Sequence, residues 1–207
     1  MELHIFVVFV LGAFALVASP GTDFIYVLSR SISDGRNAGF VAALGVSSGM
    51  LVHTGFAVAG LTALLYSSAI AFLIAKYIGV FYLVYLGVKI FLTKDQFKNM
   101  EVAESANNYD IFKHGLLTNV LNPKVGLTFM AYMPQFLSPA GESSLLVLQL
   151  GISICIVALI WFSIVGFFSS AVRRYVVESE AIGNTTRYAT SSILVFLGFR
   201  LAWLERE

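Results

Sequence analysis

Two short stretches hold most of the residues able to do chemistry. They are Ser19-Pro20-Gly21-Thr22-Asp23 and Asn119-Val120-Leu121-Asn122-Pro123-Lys124. Each places a proline and a charge inside an apolar run. Proline removes a backbone donor and clashes with the preceding turn, but it is tolerated as the first residue of a helix. Ser19 and Asn122 are both favoured N-cap types. Each stretch therefore predicts one helix that stops and a second that starts afresh. A helix start presents bare N–H groups and the positive end of the helix dipole, which suits a carboxylate. Asp23 can receive an ammonium or a proton. The two helix starts, with Asn119, Asn122 and Lys124, can receive a carboxylate. The plainer reading is that Asp23 complements its own helix dipole and Lys124 reaches to a membrane interface.

A third candidate is His53. It sits in a row with Gly45, Gly49, Ala57 and Gly60, spaced by four, four, four and three residues. At about 100° per residue these share one helix face. Small residues let helices approach closely, so this face is expected to look into a helix bundle. His53 can then relay protons or simply satisfy an interhelical hydrogen bond. Tyr132, Gln135 and Gln149 are polar positions without a decisive pattern.

The chain of 207 residues is 58% hydrophobic and only 12% charged. Soluble domains carry roughly 25% charge, so this composition predicts an all-α, polytopic membrane protein whose surroundings are the lipid bilayer. A net charge of +1 gives no reason to expect a nucleic-acid partner. The lone Cys155 can form no internal disulfide and supplies no metal or redox framework, so no cofactor is expected. The N-terminal run lacks a basic start, with Glu2 and His4 instead, and is expected to remain a membrane helix.

A spanning helix needs about 20 apolar residues. Six candidates fall at 3–28, 38–65, 70–92, 115–138, 144–171 and 187–204. The polar segment 93–114 divides them into halves, 1–92 and 115–207, of one transporter-like domain. Arg30, Arg36, Lys89, Lys94, Lys98, Lys113, Arg173, Arg174 and Arg187 cluster around alternate connections, against Lys76, Arg200 and Arg206 elsewhere. The basic side is expected to be cytoplasmic, with both termini outside. Only about eight apolar residues follow Pro20 or separate Gly115 from Pro123, so both breaks are expected nearer that cytoplasmic face.

The halves also resemble each other. Leu83, Val84, Leu86 and Gly87 recur as Leu194, Val195, Leu197 and Gly198, and Pro20 recurs as Pro123. Three helices per half force the second half to enter from the opposite face. The expected architecture is a 3+3 inverted repeat with proline-broken first and fourth helices, a plan common among secondary transporters.

Residues 19–53, 79–92 and 115–137 resemble segments of the LysE/RhtB family of amino-acid exporters. The paired Ser19-Pro20-Gly21 and Asn122-Pro123-Lys124 motifs carry the resemblance, and Thr22 departs from it where many relatives have a second proline. The resemblance implies export of amino acids through the bacterial inner membrane, driven by the proton gradient. The substrate is either a neutral amino acid, such as threonine, homoserine or leucine, or a basic one. A homo-oligomer is compatible with this. Three other functions fit the residues less well. A cation or small-metabolite exporter lacks further intramembrane carboxylates, a membrane-embedded enzyme lacks a nucleophile–base pair or clustered ligands, and a purely structural subunit needs no charged helix breaks. Thiol–disulfide electron transfer is excluded, because Ser19 and Asn122 stand where cysteines would be needed.

Overall fold

Apolar runs interrupted at proline and glycine give helices, and in the computed structural model every element is helical. The structure describes residues 2–19, 21–67, 69–93, 106–137, 144–172 and 180–203. Helices α1 (Leu3–Ala18) and α2 (Thr22–Asp34) meet at 63°. They are followed by α3 (Arg36–Ser67) and α4 (Ala69–Leu92). Next come α5 (Asn108–Val120) and α6 (Pro123–Tyr132), the latter continued by a tight turn of 3₁₀ helix over Met133–Phe136. The chain ends with α7 (Ser144–Phe167), the short α8 (Ser169–Val172) and α9 (Glu180–Trp203). Pro20 lies outside the described residues, as do Lys94, Lys98, Arg173, Arg174 and most of the 93–114 linker.

Among the described residues, α7 and residues 36–60 of α3 are long and apolar enough to cross a membrane. The bent α1–α2 pair makes a third such span if it is taken as one. Helix α7 shows the reason most plainly. Leu150, Ile154, Ala158, Phe162 and Val165 face the core, while Ile152, Ile156, Ile160 and Ile164 face outward. A helix that is apolar all round has its outer side in lipid. Phe56, Phe81, Tyr85, Phe196 and Phe199 add to the same apolar exterior.

One boundary that shapes the site departs from the sequence reading. The fourth predicted helix begins at Asn108, seven residues before Gly115. Its cap is reciprocal: Asn107 Oδ1 accepts from the Asp110 N–H at 2.9 Å, and Asn107 Nδ2 donates to Asp110 Oδ2 at 2.7 Å. Helices α2 and α5 are therefore both 13 residues long, about 20 Å. They pack together, with Tyr26 Oη donating to the Ile111 carbonyl at 2.6 Å. The two breaks consequently stand level with each other.

Glycine sets the helix spacings. A side chain at Gly45 would run into the backbone of Phe112 and Leu116 on α5, and one at Gly115 would meet the Ala42 carbonyl on α3. The small-residue face predicted on α3 thus packs α5 through Gly45 and Gly49. It does not extend to Gly60, which looks into open space.

Other contacts are reciprocal. On α4, Gly87 faces the Ser191 carbonyl, Leu194 and Val195 of α9. On α9, Gly198 faces the Val80 carbonyl, Leu83 and Val84 of α4. Each residue in the first set stands 111 positions from its equivalent in the second. Between α3 and α7, Gly39 faces Gly166 and Gly151 faces Thr54. These are again one contact made twice, at an offset of 112.

The α3–α5 approach is directly testable. Gly45→Ala should destabilise the protein by about 1–3 kcal/mol through overpacking, whereas Gly55→Ala, with nothing near its new methyl, should stay within about 0.5 kcal/mol. Thermal unfolding of the detergent-solubilised protein separates the two, and equal midpoints would refute the packing.

Candidate functional site

The two helix breaks meet at one place, and each is built differently. Asn122 has extended backbone and caps α6 as its residue type predicts. Its Oδ1 accepts from the Lys124 N–H at 3.0 Å, with Pro123 as the first helical residue. Ser19 does not cap α2, contrary to expectation. It closes α1 instead, and the extended Gly21 precedes α2 with no side-chain cap. The first turn of α2 therefore carries Asp23 and has no side-chain cap from its own N-cap residue.

Asp23 is buried, 6% exposed, in the wall between α2, α5 and α6. Asn119 Nδ2 donates to its Oδ2 at 2.7 Å, and Asn122 Nδ2 donates to its Oδ1 at 3.3 Å. Asn122 Nδ2 also donates to Thr22 Oγ1 at 2.9 Å. A carboxylate only accepts, so the Asn119 amide must present its NH₂ group to Asp23. Its Oδ1 is left facing Gly49 on α3, buried and without a partner among the described residues. A side chain at Gly49 would collide with Asn119, so this glycine is what admits the wholly buried amide.

Lys124 crosses in the other direction. Its Nζ donates to Ser19 Oγ at 2.8 Å and to the Ser19 carbonyl at 3.3 Å. It passes over Gly21, where a β-carbon would come within 3.2 Å of Nζ. Each break thus reaches to the other: amides from the second half hold Asp23, and oxygens from the first hold the Lys124 ammonium.

A cavity lies beside this junction. It encloses about 550 Å³, counting the space at its open mouth. Ser19, Gly21, Thr22, Asp23, Asn122 and Lys124 form its polar end. Leu16, Val17, Met50, Ile154 and Phe162 are among the residues that make the rest apolar. At its wall, Tyr132 Oη donates to the Phe9 carbonyl at 2.6 Å, the Phe9 and Tyr132 rings stack, and Phe136 meets both edge-on. Gly12 leaves room for the Tyr132 hydroxyl.

Of the residues singled out in sequence, Ser19, Gly21, Asp23, Asn122 and Lys124 line this one cavity. Asn119 supports Asp23 from behind. His53 stands further back: its Nε2 donates to the Asn119 carbonyl at 3.1 Å, and its ring packs near Phe129. Pro123 only shapes the helix start. Sequence reasoning missed Met50, Thr128 and Phe129, gave Thr22 no part in the site, and left Tyr132 unassigned. Thr128 and Tyr132 follow Lys124 at four-residue steps, a spacing that could have placed them on its face.

Outward-facing apolar helices, and a polar-ended cavity walled by two broken ones, define an integral membrane protein of the translocator class. Residues 14–204 match the family model for the LysE type translocator, and the chain belongs to that family. This is a family of translocators, not of enzymes. The chain is 29% identical to an uncharacterised membrane protein, YrhP, of Bacillus subtilis, over 96% of this chain and 98% of that one. It is 28% identical to a leucine efflux protein of Salmonella typhimurium, over 95% and 94%, and 29% identical to one of Enterobacter sp., with the same coverage. No solved structure gives a significant match.

If Asn119 holds Asp23, their effects on stability must be coupled. A double-mutant cycle of Asp23→Ala and Asn119→Ala should give a coupling of about 1–3 kcal/mol. Strictly additive losses would show that the bond contributes nothing.

Proposed function

We propose that this protein is a secondary exporter of amino acids with uncharged side chains, acting in the bacterial inner membrane. The observation that carries this is the cavity's composition, with one carboxylate and one ammonium at one end and apolar walls beyond. A zwitterion matches that end. Its ammonium goes to Asp23, and its carboxylate to Lys124 and the uncapped start of α2 at Gly21 and Thr22. The apolar walls favour a neutral side chain over a basic one, because Asp23 is the one acid among the described residues lining the cavity. The leucine efflux relatives support the same choice. A bare-cation exporter is disfavoured, because Lys124 shares the cavity with Asp23.

The fold we propose around this site is six spans in a 3+3 inverted repeat, from residues 1–92 and 115–207 with the linker 93–114 between them. The reciprocal Gly87 and Gly198 contacts support it, since a local two-fold rotation makes every such contact twice. Basic residues around the α2–α3, α4–α5 and α8–α9 connections support a cytoplasmic position for those turns, with both termini outside. In that orientation the charged end of the cavity receives substrate from the cell, and the Phe9–Tyr132–Phe136 cluster closes the outward path. Transport then alternates access around the junction of the breaks. A returning proton binds Asp23 when the substrate ammonium leaves. His53, joined to Asp23 through Asn119, senses the same exchange.

Expression in cells lacking their own exporters tests this reading. Efflux of a neutral amino acid should rise, should rise further with acid outside, and should vanish with Asp23→Asn. A reporter enzyme active only outside the cell should stay silent when inserted between residues 93 and 106. Unchanged efflux across all amino acids would refute the function, and a signal from the reporter would refute the orientation.

A further inference from the structure

Lys124, Thr128 and Tyr132 form one row along the cavity wall, about 12 Å from first to last. Threonine within a helix commonly turns its hydroxyl back to the carbonyl four residues earlier. For Thr128 that carbonyl belongs to Lys124, and it accepts a long bond of 3.5 Å from Tyr82 Oη on α4. Thr128 Oγ1 is left buried and without a partner among the described residues. A buried hydroxyl that makes no hydrogen bond is costly. On a cavity wall that cost is relieved whenever a ligand supplies the partner.

The chemistry of the polar end indicates which ligand group that is. An ammonium carries three hydrogens, and a carboxylate offers about four lone-pair sites. Two of the Asp23 sites are already taken by Asn119 and Asn122. Two remain, so a third acceptor is needed. The other cavity hydroxyls each already make a hydrogen bond, Ser19 from Lys124, Thr22 from Asn122 and Tyr132 to Phe9, so among the described lining residues the Thr128 hydroxyl is the one that gains most from a new partner. Thr128 has two accessible side-chain wells in a helix, so one bond rotation re-aims its hydroxyl.

We propose that Thr128 is a substrate-binding residue whose hydroxyl accepts a hydrogen bond from the ammonium of the bound amino acid, alongside Asp23. This rests on reading the cavity as an amino-acid site. It adds a residue that sequence reasoning passed over and that the paired break motifs do not contain. It also explains why a hydroxyl stands midway along a row whose flanking polar groups, Lys124 and Tyr132, already bond to Ser19 and Phe9.

Two substitutions test it, because valine copies the shape of threonine without its hydroxyl, and serine keeps the hydroxyl. Ligand binding is read as the rise in unfolding temperature of the purified full-length protein, titrated with each neutral amino acid in turn. Without ligand Thr128→Val should melt at or above the wild-type temperature, because it removes an unpartnered hydroxyl, and it should need about tenfold more amino acid, or still more, for half-saturation. Thr128→Ser should return most of the affinity. An N-acetylated amino acid, which lacks the ammonium, should bind wild type and Thr128→Val equally weakly. If an amino acid stabilises the wild type and Thr128→Val at the same concentration, Thr128 is not a ligand, although the cavity reading survives. Thr128 is likewise ruled out as a ligand if a folded Thr128→Ser fails to recover affinity. If no amino acid stabilises the wild type, the cavity reading falls and this assignment falls with it.

Discussion

The structure depends on holding one carboxylate, that of Asp23, inside an apolar bundle. An ionised group there costs several kcal/mol unless hydrogen bonds replace water. The replacements are the side-chain amides of Asn119 and Asn122, which sit 96 and 99 residues further along the chain. That requirement fixes much else. The end of α5 must lie beside the start of α2, so both breaks must stand at one level. Helix α5 must also press close to α3, which Gly45, Gly49 and Gly115 permit. The spacing of three helices thus follows from satisfying two oxygen atoms.

The junction is asymmetric in a way that bears on transport. Asn122 caps its own helix and still reaches Thr22 and Asp23, whereas Ser19 caps no helix start and instead receives the Lys124 ammonium. One helix start is closed by its own side chain and the other is left open beside a cation. The neutral amides leave two acceptor sites of the carboxylate open, so an incoming ammonium joins them without breaking an ion pair. In the proposed cycle, substrate binding therefore adds hydrogen bonds instead of separating buried charges, which keeps the step low in energy.

Much of this was legible in the sequence because broken helices leave a strong local signature. Proline after a capping residue, inside an apolar run, located both breaks, and the lone charges beside them marked the cavity's polar end. The Leu83–Gly87 and Leu194–Gly198 segments turned out to pack on each other. Three things were not legible. The start of α5 at Asn108 was hidden because Asn107 and Asp110 lie in a polar stretch that reads as loop until their reciprocal cap is recognised. The role of Ser19 was missed because residue type alone cannot say whether a helix starts at Pro20 or two residues later. The apolar cavity residues were invisible for a different reason. Met50, Ile154 and Phe162 look like any other core position until tertiary packing brings them beside Asp23.

The proposed transport cycle puts the substrate at the junction of the two breaks. Cys155 is the only native cysteine, so Cys155→Ala with Thr22→Cys places a single thiol at the mouth of the cavity. Its rate of alkylation by a small water-soluble maleimide can be measured with and without amino acid. With substrate bound at the junction, an exported amino acid slows labelling in a saturable way, while a thiol at the exposed Tyr109 position, away from the cavity, reacts at an unchanged rate. Labelling at position 22 that ignores every amino acid the protein exports would contradict that placement.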